Sequence, residues 1–287
     1  MIWVTGSYGM LGRHISERLS FAGIPHVSTD INLDITEPSS VSDFVEKNKF
    51  SWIINCSAYT AVDLAEDEKE KAFAVNSDGV RNLASAAKLS GSKIIHFSTD
   101  YVFPGLEKNG YSEEDETAPE SVYGDSKLSG ESEIISSCEK FFIFRISWLY
   151  GPYGKNFVHT MLNLFNQRDE LNVVDDQYGS PTYTGELAEF IVKLVQNDSD
   201  NYGVYHFSGE GITNWFEFAS EIYRLSVKYE MIKKKVIINP VDSAKYPQRA
   251  KRPAHSYMLK DKLFNSFGYR PKGWRETIEE YIKSVKV

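Results

Sequence analysis

The chain has 287 residues, enough to bury a full core as one large domain or two closely joined ones. Its 40 acidic and 32 basic side chains give a net charge of −8, a balance that argues against a nucleic-acid or anionic-membrane surface. The two cysteines, Cys56 and Cys138, are too few for a disulfide scaffold, and they show no metal-site spacing with histidine.

Short β-branched runs alternate with helical stretches in the first half of the chain, which is typical of βαβ units around a parallel sheet. Strands are predicted at 2–5, 26–29, 52–55, 93–98 and 141–147. Helices are predicted at 10–21, 39–47, 66–90 and 122–137. The sequence therefore predicts an α/β fold with a Rossmann-like, doubly wound parallel sheet, whose ligands bind beyond the carboxyl ends of the strands.

The pattern changes after Trp148. A glycine-rich loop at 151–156 is followed by a turn-rich stretch at 175–184 and by a strand at 204–208 that returns to the sheet. Further helices are predicted at 157–167, 185–196, 215–229 and 274–285. We expect residues 1–150 to form one domain, with the segments around 184–208 returning to it, and residues 151–287 to form mainly a smaller, interleaved lobe.

The amino terminus and the apolar runs bear on localisation. The first predicted strand starts at Ile2, which leaves no room for a signal or transit peptide. The most apolar later run, 141–148, is short and carries an arginine, so no membrane span is predicted. We expect a soluble, cytoplasmic protein.

Gly6, Gly9 and Gly12 follow the first strand and open the first helix. Backbone without Cβ atoms can turn sharply and approach a pyrophosphate, and a helix N-terminus supplies amide donors to it. An ordinary βα turn is the alternative. Asp30 closes the second strand, where a carboxylate can accept hydrogen bonds from an adenosine ribose. The first domain is therefore predicted to bind a dinucleotide, with NADH favoured over NADPH because Asp30 would repel a 2′-phosphate.

Tyr123 and Lys127 stand four residues apart on a predicted helix, so phenol and ammonium share one face. A phenol with a pKa of about 10 is a poor acid or base near neutrality, and a neighbouring ammonium lowers that pKa. The hydroxyls of Ser98 and Thr99, followed by Asp100, close an apolar strand upstream. Hydroxyl, phenol, lysine and glycine-rich turn together predict a nicotinamide-dependent oxidoreductase.

These motifs resemble those of the dTDP-4-dehydrorhamnose reductases, a family of the extended short-chain dehydrogenase/reductase superfamily. The glycine turn and the Tyr/Lys pair occur throughout the superfamily and indicate a reductase, dehydratase or epimerase. More specific are Ser-Thr-Asp-Tyr-Val-Phe at 98–103, Ser-Trp at 147–148 and Asp-Gln-Tyr-Gly-Ser-Pro-Thr at 176–182. The resemblance runs through nearly the whole chain, including Asn55 to Asp63, Asn156-Phe157 and Arg252-Pro253.

The resemblance implies a role for each matching residue. Tyr123 would give a proton to the C4 carbonyl oxygen of a dTDP-sugar as hydride arrives from NADH or NADPH. Lys127 would hold the nicotinamide ribose and lower the phenol pKa, and Thr99 would hydrogen-bond the substrate oxygen. Asp100 and Trp148 would lie against the sugar. The residues lining the cofactor cleft, besides the glycine turn, would be Met10, Leu11, Asp30, Asp34, Ile35, Ala58, Tyr59, Thr60 and Phe97.

Several of these roles have a plainer alternative. Thr99 is also placed to cap the strand end, which would leave Ser98 as the reactive hydroxyl. Trp148 is also typical of a core-filling aromatic, and Asp34 of a polar loop residue. The substrate pyrophosphate needs a cation, and Arg252 is the candidate because guanidinium binds phosphate in bidentate fashion; its alternative is a surface arginine.

The leading functional hypothesis is reduction of dTDP-4-dehydro-β-L-rhamnose to dTDP-β-L-rhamnose. A second hypothesis keeps the chemistry but changes the sugar to another dTDP-4-keto-6-deoxyhexose. A third is a non-catalytic regulatory subunit similar to the β subunit of methionine adenosyltransferase, which keeps the Tyr/Lys pair. No metal is predicted at the catalytic residues. The resemblance implies a homodimer in some relatives, with a magnesium ion between subunits, for which this sequence identifies no ligands.

Overall fold

The structure is a computed structural model that describes residues 1–246 and 248–285. Its strands are β1 (Ile2–Thr5), β2 (His26–Ser28), β3 (Trp52–Asn55), β4 (Lys93–Thr99), β5 (Phe141–Ile146), β6 (Leu149–Tyr150), β7 (Glu170–Val174), β8 (Tyr178–Gly179), β9 (Thr182–Tyr183), β10 (Gly203–Phe207), β11 (Thr213–Asn214) and β12 (Ile237–Val241). Its helices are α1 (Met10–Phe21), α2 (Pro38–Lys47), α3 (Val62–Ala65), α4 (Lys69–Phe73), α5 (Gly79–Ser90), α6 (Val122–Ser137), α7 (Phe157–Gln167), α8 (Thr184–Gln196), α9 (Trp215–Lys228), α10 (Asp261–Phe267) and α11 (Trp274–Val285). None of the described helices combines the length and apolarity needed to cross a membrane.

Six parallel strands form the central sheet, in the order β2-β1-β3-β4-β5-β10. The predicted α/β class with a doubly wound parallel sheet is confirmed. The chain direction across the sheet reverses between β1 and β3, which opens a crevice at the carboxyl ends of these strands. The strand expected at 204–208 is β10, which pairs with β5.

Apolar side chains bury both faces of the sheet, as expected where helices cover a parallel sheet on each side. In β1, Val4 belongs to the cluster that includes α1 and α8, whereas Trp3 belongs to the cluster that includes α2 and α5. Both residues are fully buried. Because α8 and β10 pack into the first of these clusters, the segment after residue 184 is part of the core around the sheet.

A third cluster forms a smaller lobe. It is built from α7, α9 and α11 with the parallel pair β7–β12, and its buried aromatic residues are Tyr150, Phe165, Phe218, Trp274 and Tyr281. The sequence reading found these three helices but not the β7–β12 pair or α10. Positions 247, 286 and 287 of the predicted lobe 151–287 lie outside the described residues.

The single helix expected at 66–90 is interrupted. It consists of α4, a π-helical turn at Ala74–Asp78 and α5. Asn76, in the π turn, is fully buried; its side chain accepts from the Tyr59 N–H (2.8 Å) and donates to the Tyr59 carbonyl (3.0 Å) and to Ser126 Oγ (3.0 Å). The bulge lets one amide side chain join the loop after β3 to α6, a long-range contact that helical periodicity does not reveal.

A buried ion pair holds α6 against the sheet. Arg145 on β5 donates from Nη2 to Glu131 Oε2 at 2.7 Å and from Nε to Glu131 Oε1 at 3.0 Å. The side chains are 6% and 1% exposed. Because Glu131 lies four residues beyond Lys127 on α6, this pair sets the position of the helical face that carries Tyr123 and Lys127.

Removing one partner of this pair is expected to destabilise the fold strongly. Glu131→Leu leaves the Arg145 guanidinium buried without its carboxylate, and we predict a loss of about 3–5 kcal/mol in the free energy of unfolding. The double variant Glu131→Leu/Arg145→Met removes both charges and should recover most of that loss. Urea denaturation measures both.

The matched control is the exposed pair of Arg224 and Glu221, in which Arg224 is 55% exposed. Arg224→Met should cost no more than about 1 kcal/mol, because water screens an exposed ion pair. A loss in Glu131→Leu no larger than in this control would contradict the prediction.

Candidate active site

A cavity of about 450 Å³ opens at the carboxyl ends of β1, β3, β4 and β5. Eleven of the predicted site residues line it: Gly9, Met10, Leu11, Ala58, Thr60, Phe97, Thr99, Asp100, Tyr123, Lys127 and Trp148. A groove of about 770 Å³ between α2 and α5 is larger but contains none of the motif residues. The smaller cavity is the candidate active site because only there do the glycine turn, the hydroxyl residues and the Tyr/Lys pair meet.

The glycine turn approaches neighbouring backbone too closely for a side chain. Gly6 has φ +62°, and a Cβ there would lie 2.6 Å from the carbonyl carbon of Cys56. A Cβ on Gly12 would lie 2.3 Å from the Gly6 carbonyl oxygen. Gly9 is the N-cap of α1 and has no side chain with which to cap it, so the first-turn N–H groups are available to an anion.

Six of the predicted cofactor residues lie outside the cavity lining: Gly6 and Gly12 of the glycine turn, and Asp30, Asp34, Ile35 and Tyr59. Asp30 Oδ2 accepts from the Tyr8 N–H at 2.7 Å, which holds the carboxylate beside the glycine turn. Asp34 Oδ1 accepts from the Thr36 N–H and hydroxyl at 2.9 and 2.8 Å, so the side chain stabilises its own loop. Ile35 is buried among the α2–α5 side chains. Tyr59 donates its hydroxyl proton to Glu68 Oε2 at 2.8 Å.

Tyr123 and Thr99 meet in the cavity. Burial raises the pKa of the Tyr123 phenol above its ordinary value, a hydrogen bond with Thr99 lowers it, and the charge of Asp100 raises it further. The net rise is opposite to the lowered phenol pKa expected from Lys127. The cause is desolvation of the partly buried phenol, which disfavours the phenolate. A phenol held in this way remains a proton donor across the physiological pH range.

Thr99 has two contacts of its own at the end of β4. Its Oγ1 donates to Asp100 Oδ1 at 3.0 Å and accepts from the Tyr101 N–H at 3.2 Å. The capping role considered as an alternative is therefore present together with the contact to Tyr123. Ser98 also lines the cavity, but the hydroxyl that lowers the pKa of the Tyr123 phenol is that of Thr99.

Lys127 is 2% exposed, and burial lowers the pKa of its ammonium to about 8, opposed by the charges of Glu131 and Cys56. Its Nζ donates to the Phe97 carbonyl at 2.6 Å and lies 3.4 Å from His96 Nε2. The ammonium thus lies against the backbone of β4. With a pKa of about 8, the Lys127 side chain can be charged or neutral near neutral pH.

A second, smaller cavity adjoins the first. It measures about 280 Å³ and is lined by aromatic, amide and cationic side chains, among them Phe157, Asn172, Gln177, Trp215, Gln248 and Arg252. Arg252 donates to the Tyr101 hydroxyl at 2.7 Å and to Asp63 Oδ2 at 2.8 Å. Since Tyr101 lines the first cavity, Arg252 lies at the boundary between the two. It is 23% exposed, so the structure does not place it on the open surface.

Several lining residues were not identified from the sequence. Lys155 belongs to the glycine-rich loop and brings a cation to the cavity, where a Cβ on its neighbour Gly154 would lie 4.0 Å from the Met10 side chain. Tyr101 packs edge-on to Tyr123, with ring centroids 5.5 Å apart. Lys155 could have been identified from the sequence, because its loop follows the Ser-Trp motif. Nothing in the sequence spacing indicated Tyr101.

Within 1–246 and 248–285, no group of three or more histidine, cysteine, aspartate or glutamate side chains is placed to hold a metal ion.

The whole chain, residues 1–287, matches the family described as the RmlD substrate binding domain. It is 40% identical over 282 residues to the dTDP-4-dehydrorhamnose reductase of Aggregatibacter actinomycetemcomitans, covering 96% of each chain. A crystal structure of a dTDP-4-dehydrorhamnose reductase from Clostridium acetobutylicum superposes with a TM-score of 0.94 at 39% identity, covering 100% of this chain and 99% of that one. The Bacillus anthracis reductase, solved in complex with NADP, gives 0.93 at 39% identity over 99% and 98%.

The buried carboxyl of Asp100 predicts an unusual pH dependence of stability. Burial raises its pKa from 3.8 to about 6, against the opposing hydrogen bond from Thr99. Between pH 3.8 and pH 6 the folded state binds more protons than the unfolded state. The free energy of unfolding therefore falls as pH rises through this interval, and the full destabilisation by the Asp100 carboxylate is reached above pH 6. Asp100→Asn should therefore increase the free energy of unfolding at pH 7 by up to about 3 kcal/mol.

Urea denaturation of Asp100→Asn and of the unmodified chain between pH 4 and pH 7 measures this difference. The gain in the free energy of unfolding should grow as pH rises to about 6 and should be nearly constant above that pH. A variant whose stability runs parallel to that of the unmodified chain at every pH would show that Asp100 does not titrate in this interval.

Proposed function

The chain belongs to the RmlD substrate binding domain family, and we propose that it reduces the C4 ketone of dTDP-4-dehydro-β-L-rhamnose to give dTDP-β-L-rhamnose with a nicotinamide coenzyme. The observation that carries the proposal is that Thr99 and Tyr123 line one cavity together with the glycine turn. Two hydroxyls in one cavity can both hydrogen-bond a carbonyl oxygen, and those bonds strengthen as negative charge develops there.

The glycine turn fits a dinucleotide. Side chains at Gly6 and Gly12 would collide with backbone, and the uncapped first turn of α1 offers N–H donors to a pyrophosphate. Lys155, on the facing loop, adds a cation for the same group. When bound, the nicotinamide coenzyme supplies the hydride. Met10, Leu11, Ala58, Thr60 and Phe97 would form the walls around it.

Tyr123 would serve as the proton donor. Its raised pKa keeps the phenol protonated until a stronger base forms at the substrate oxygen. Thr99 would donate a second hydrogen bond to the same oxygen. Lys127, held by the Phe97 carbonyl one helical turn from the phenol, would stabilise the phenolate that remains after the transfer and would hold the nicotinamide ribose. Without substrate, Asp100 Oδ1 accepts the single Thr99 hydroxyl proton, so this hydroxyl would turn from Asp100 to the substrate oxygen when substrate binds.

The nucleotide part of the substrate would occupy the second cavity. Arg252 would supply the cation for the pyrophosphate, since its guanidinium faces that cavity while Asp63 and Tyr101 hold it. Phe157, which lines that cavity, would provide an aromatic face for a base. Trp148, which lines the first cavity, would contact the sugar.

Tyr123→Phe tests the reduction directly. Loss of the proton donor should lower kcat by about 100-fold to 10,000-fold with the 4-keto sugar nucleotide, whereas the dissociation constant for the coenzyme should change little. Tyr229→Phe is the control, because Tyr229 hydrogen-bonds Glu279 in the smaller lobe and neither residue lines the two cavities. Coenzyme oxidation followed by absorbance measures turnover.

Coenzyme binding without turnover on any dTDP-4-keto-6-deoxyhexose would contradict the proposal and favour a regulatory, non-catalytic role. Turnover with another such sugar but not with the rhamnose precursor would keep the chemistry and change the substrate.

Asp30 sets the proposed preference for NADH over NADPH. Its carboxylate accepts from the Tyr8 N–H beside the glycine turn, and there it would come close to an adenosine 2′-phosphate. Removing one such repulsion, worth about 1 kcal/mol or more near a protein surface, should improve kcat/KM for NADPH about fivefold or more relative to NADH in Asp30→Asn. Steady-state kinetics with each coenzyme measure the ratio. Asp43→Asn on the exposed face of α2 should leave the ratio unchanged, and an equally unchanged ratio in Asp30→Asn would refute this role.

A further inference from the structure

Two tryptophans form a close stack at the boundary between the two cavities. Trp148 follows β5, and Trp215 is the first residue of α9; their ring centroids are 3.7 Å apart and their planes differ by 12°. The stack is near-parallel, and each ring also lines a different cavity: Trp148 lines the one with Tyr123, and Trp215 lines the one with Arg252.

Trp148 has a backbone conformation that a tryptophan adopts at a cost. Its φ is +46°, in the left-handed region that favours glycine. Such a conformation persists only where the surrounding contacts hold it. The indole is therefore kept where it is by its neighbours, and the relevant neighbours are Trp215 and Gly179.

Gly179 gives the indole its second contact. A Cβ at Gly179 would lie 2.9 Å from Cε2 and Cζ2 of Trp148, so the ring lies directly against the glycine backbone. Gly179 in β8 pairs with Thr213 in β11, and Trp215 comes two residues after Thr213. Asn214 caps α9 by accepting from the Glu217 N–H at 2.8 Å. The two contacts on the indole thus belong to one hydrogen-bonded unit, which explains the glycine in the Asp-Gln-Tyr-Gly-Ser-Pro-Thr motif.

Phe157 supports the outer side of this unit. Its ring centroid lies 4.6 Å from that of Trp215 and 5.7 Å from that of Phe218, a fully buried residue of the smaller lobe. Trp215 is therefore anchored in the lobe while it touches the indole at the catalytic cavity. A shift of the lobe would be passed to Trp148 through this contact.

We propose that Trp215 is a positioning residue of the reduction: it holds the Trp148 indole at the sugar subsite and forms, with it, the wall shared with the nucleotide cavity. The proposal rests on the proposed function. Trp215 acts on the sugar only through Trp148. Its loss should let the strained Trp148 backbone relax and move the indole away from the sugar, while the coenzyme site around α1 is unaffected.

Trp215→Ala and Trp215→Phe test this role. Trp215→Ala should raise KM for the 4-keto sugar nucleotide about tenfold or more, since small misplacements of positioning groups are costly, with a smaller change in kcat and an unchanged dissociation constant for the coenzyme. Trp215→Phe keeps an aromatic face and should recover much of the loss. The exciton-coupled circular dichroism of two stacked indoles, present in the unmodified protein, should disappear in both variants.

Gly179→Ala is an independent second variant, because its Cβ would displace the indole without touching Trp215. It should raise KM in the same way. Trp274→Phe is the matched control: Trp274 is a buried tryptophan of the same lobe that packs on Phe218, and its replacement should leave KM and the exciton signal as they are.

The outcomes separate the two proposals. Turnover by the unmodified protein tests the function alone. If it is absent, binding of dTDP-L-rhamnose measured by calorimetry replaces KM, and tenfold weaker binding by Trp215→Ala still supports the contact. Unchanged KM, or unchanged binding, in Trp215→Ala together with loss of the exciton signal would overturn the positioning role. No exciton signal in the unmodified protein would overturn the stack itself.

Discussion

The arrangement of the site depends on a pair of opposite charges removed from water. Glu131 on α6 and Arg145 on β5 are both almost fully buried and share more than one hydrogen bond. A buried pair of this kind does not by itself make a fold more stable than apolar packing would, but its geometry admits little variation. The helical face that presents Tyr123, Lys127 and Glu131 at intervals of four residues is thereby fixed in rotation and in height above the sheet.

A chain of hydrogen bonds next to Lys127 determines which ring nitrogen of His96 carries the proton. The Ser57 N–H and the Thr5 hydroxyl both donate to Asn55 Oδ1, so the amide nitrogen of Asn55 faces His96 Nδ1 at 3.0 Å. Nδ1 must then accept, and the neutral ring carries its proton on Nε2, which faces Lys127. Burial keeps the pKa of His96 well below its ordinary value. A donor aimed at Nζ works against the ammonium, in the same direction as burial, and both favour a lysine that can lose its proton near pH 8.

Local pattern was sufficient for much of this architecture. The bounds of α6 and α11 follow from helical composition, and Tyr123 and Lys127 share a face because helical geometry requires it. What the pattern could not supply was long-range. Asn76 interrupts a helix to bind the loop after β3, and Arg252 is tied to Asp63, 189 residues away. The rise in the phenol pKa was missed for the same reason, since burial is a property of the assembled core.

Arg252 connects the segment that follows the smaller lobe to the residues at the carboxyl ends of β3 and β4. Its guanidinium bonds both Tyr101, at the end of β4, and Asp63, in the segment after β3, so the chain that returns from the lobe is attached to the carboxyl edge of the sheet. Tyr101 in turn packs edge-on to Tyr123. An anion that drew Arg252 away from Asp63 would alter the electrostatic field at Tyr101 and at its neighbour Tyr123. The two cavities are therefore coupled by charge through Arg252 and Tyr101 and by packing through Trp148 and Trp215. A ligand that occupied both cavities would affect the Tyr123 phenol through both connections.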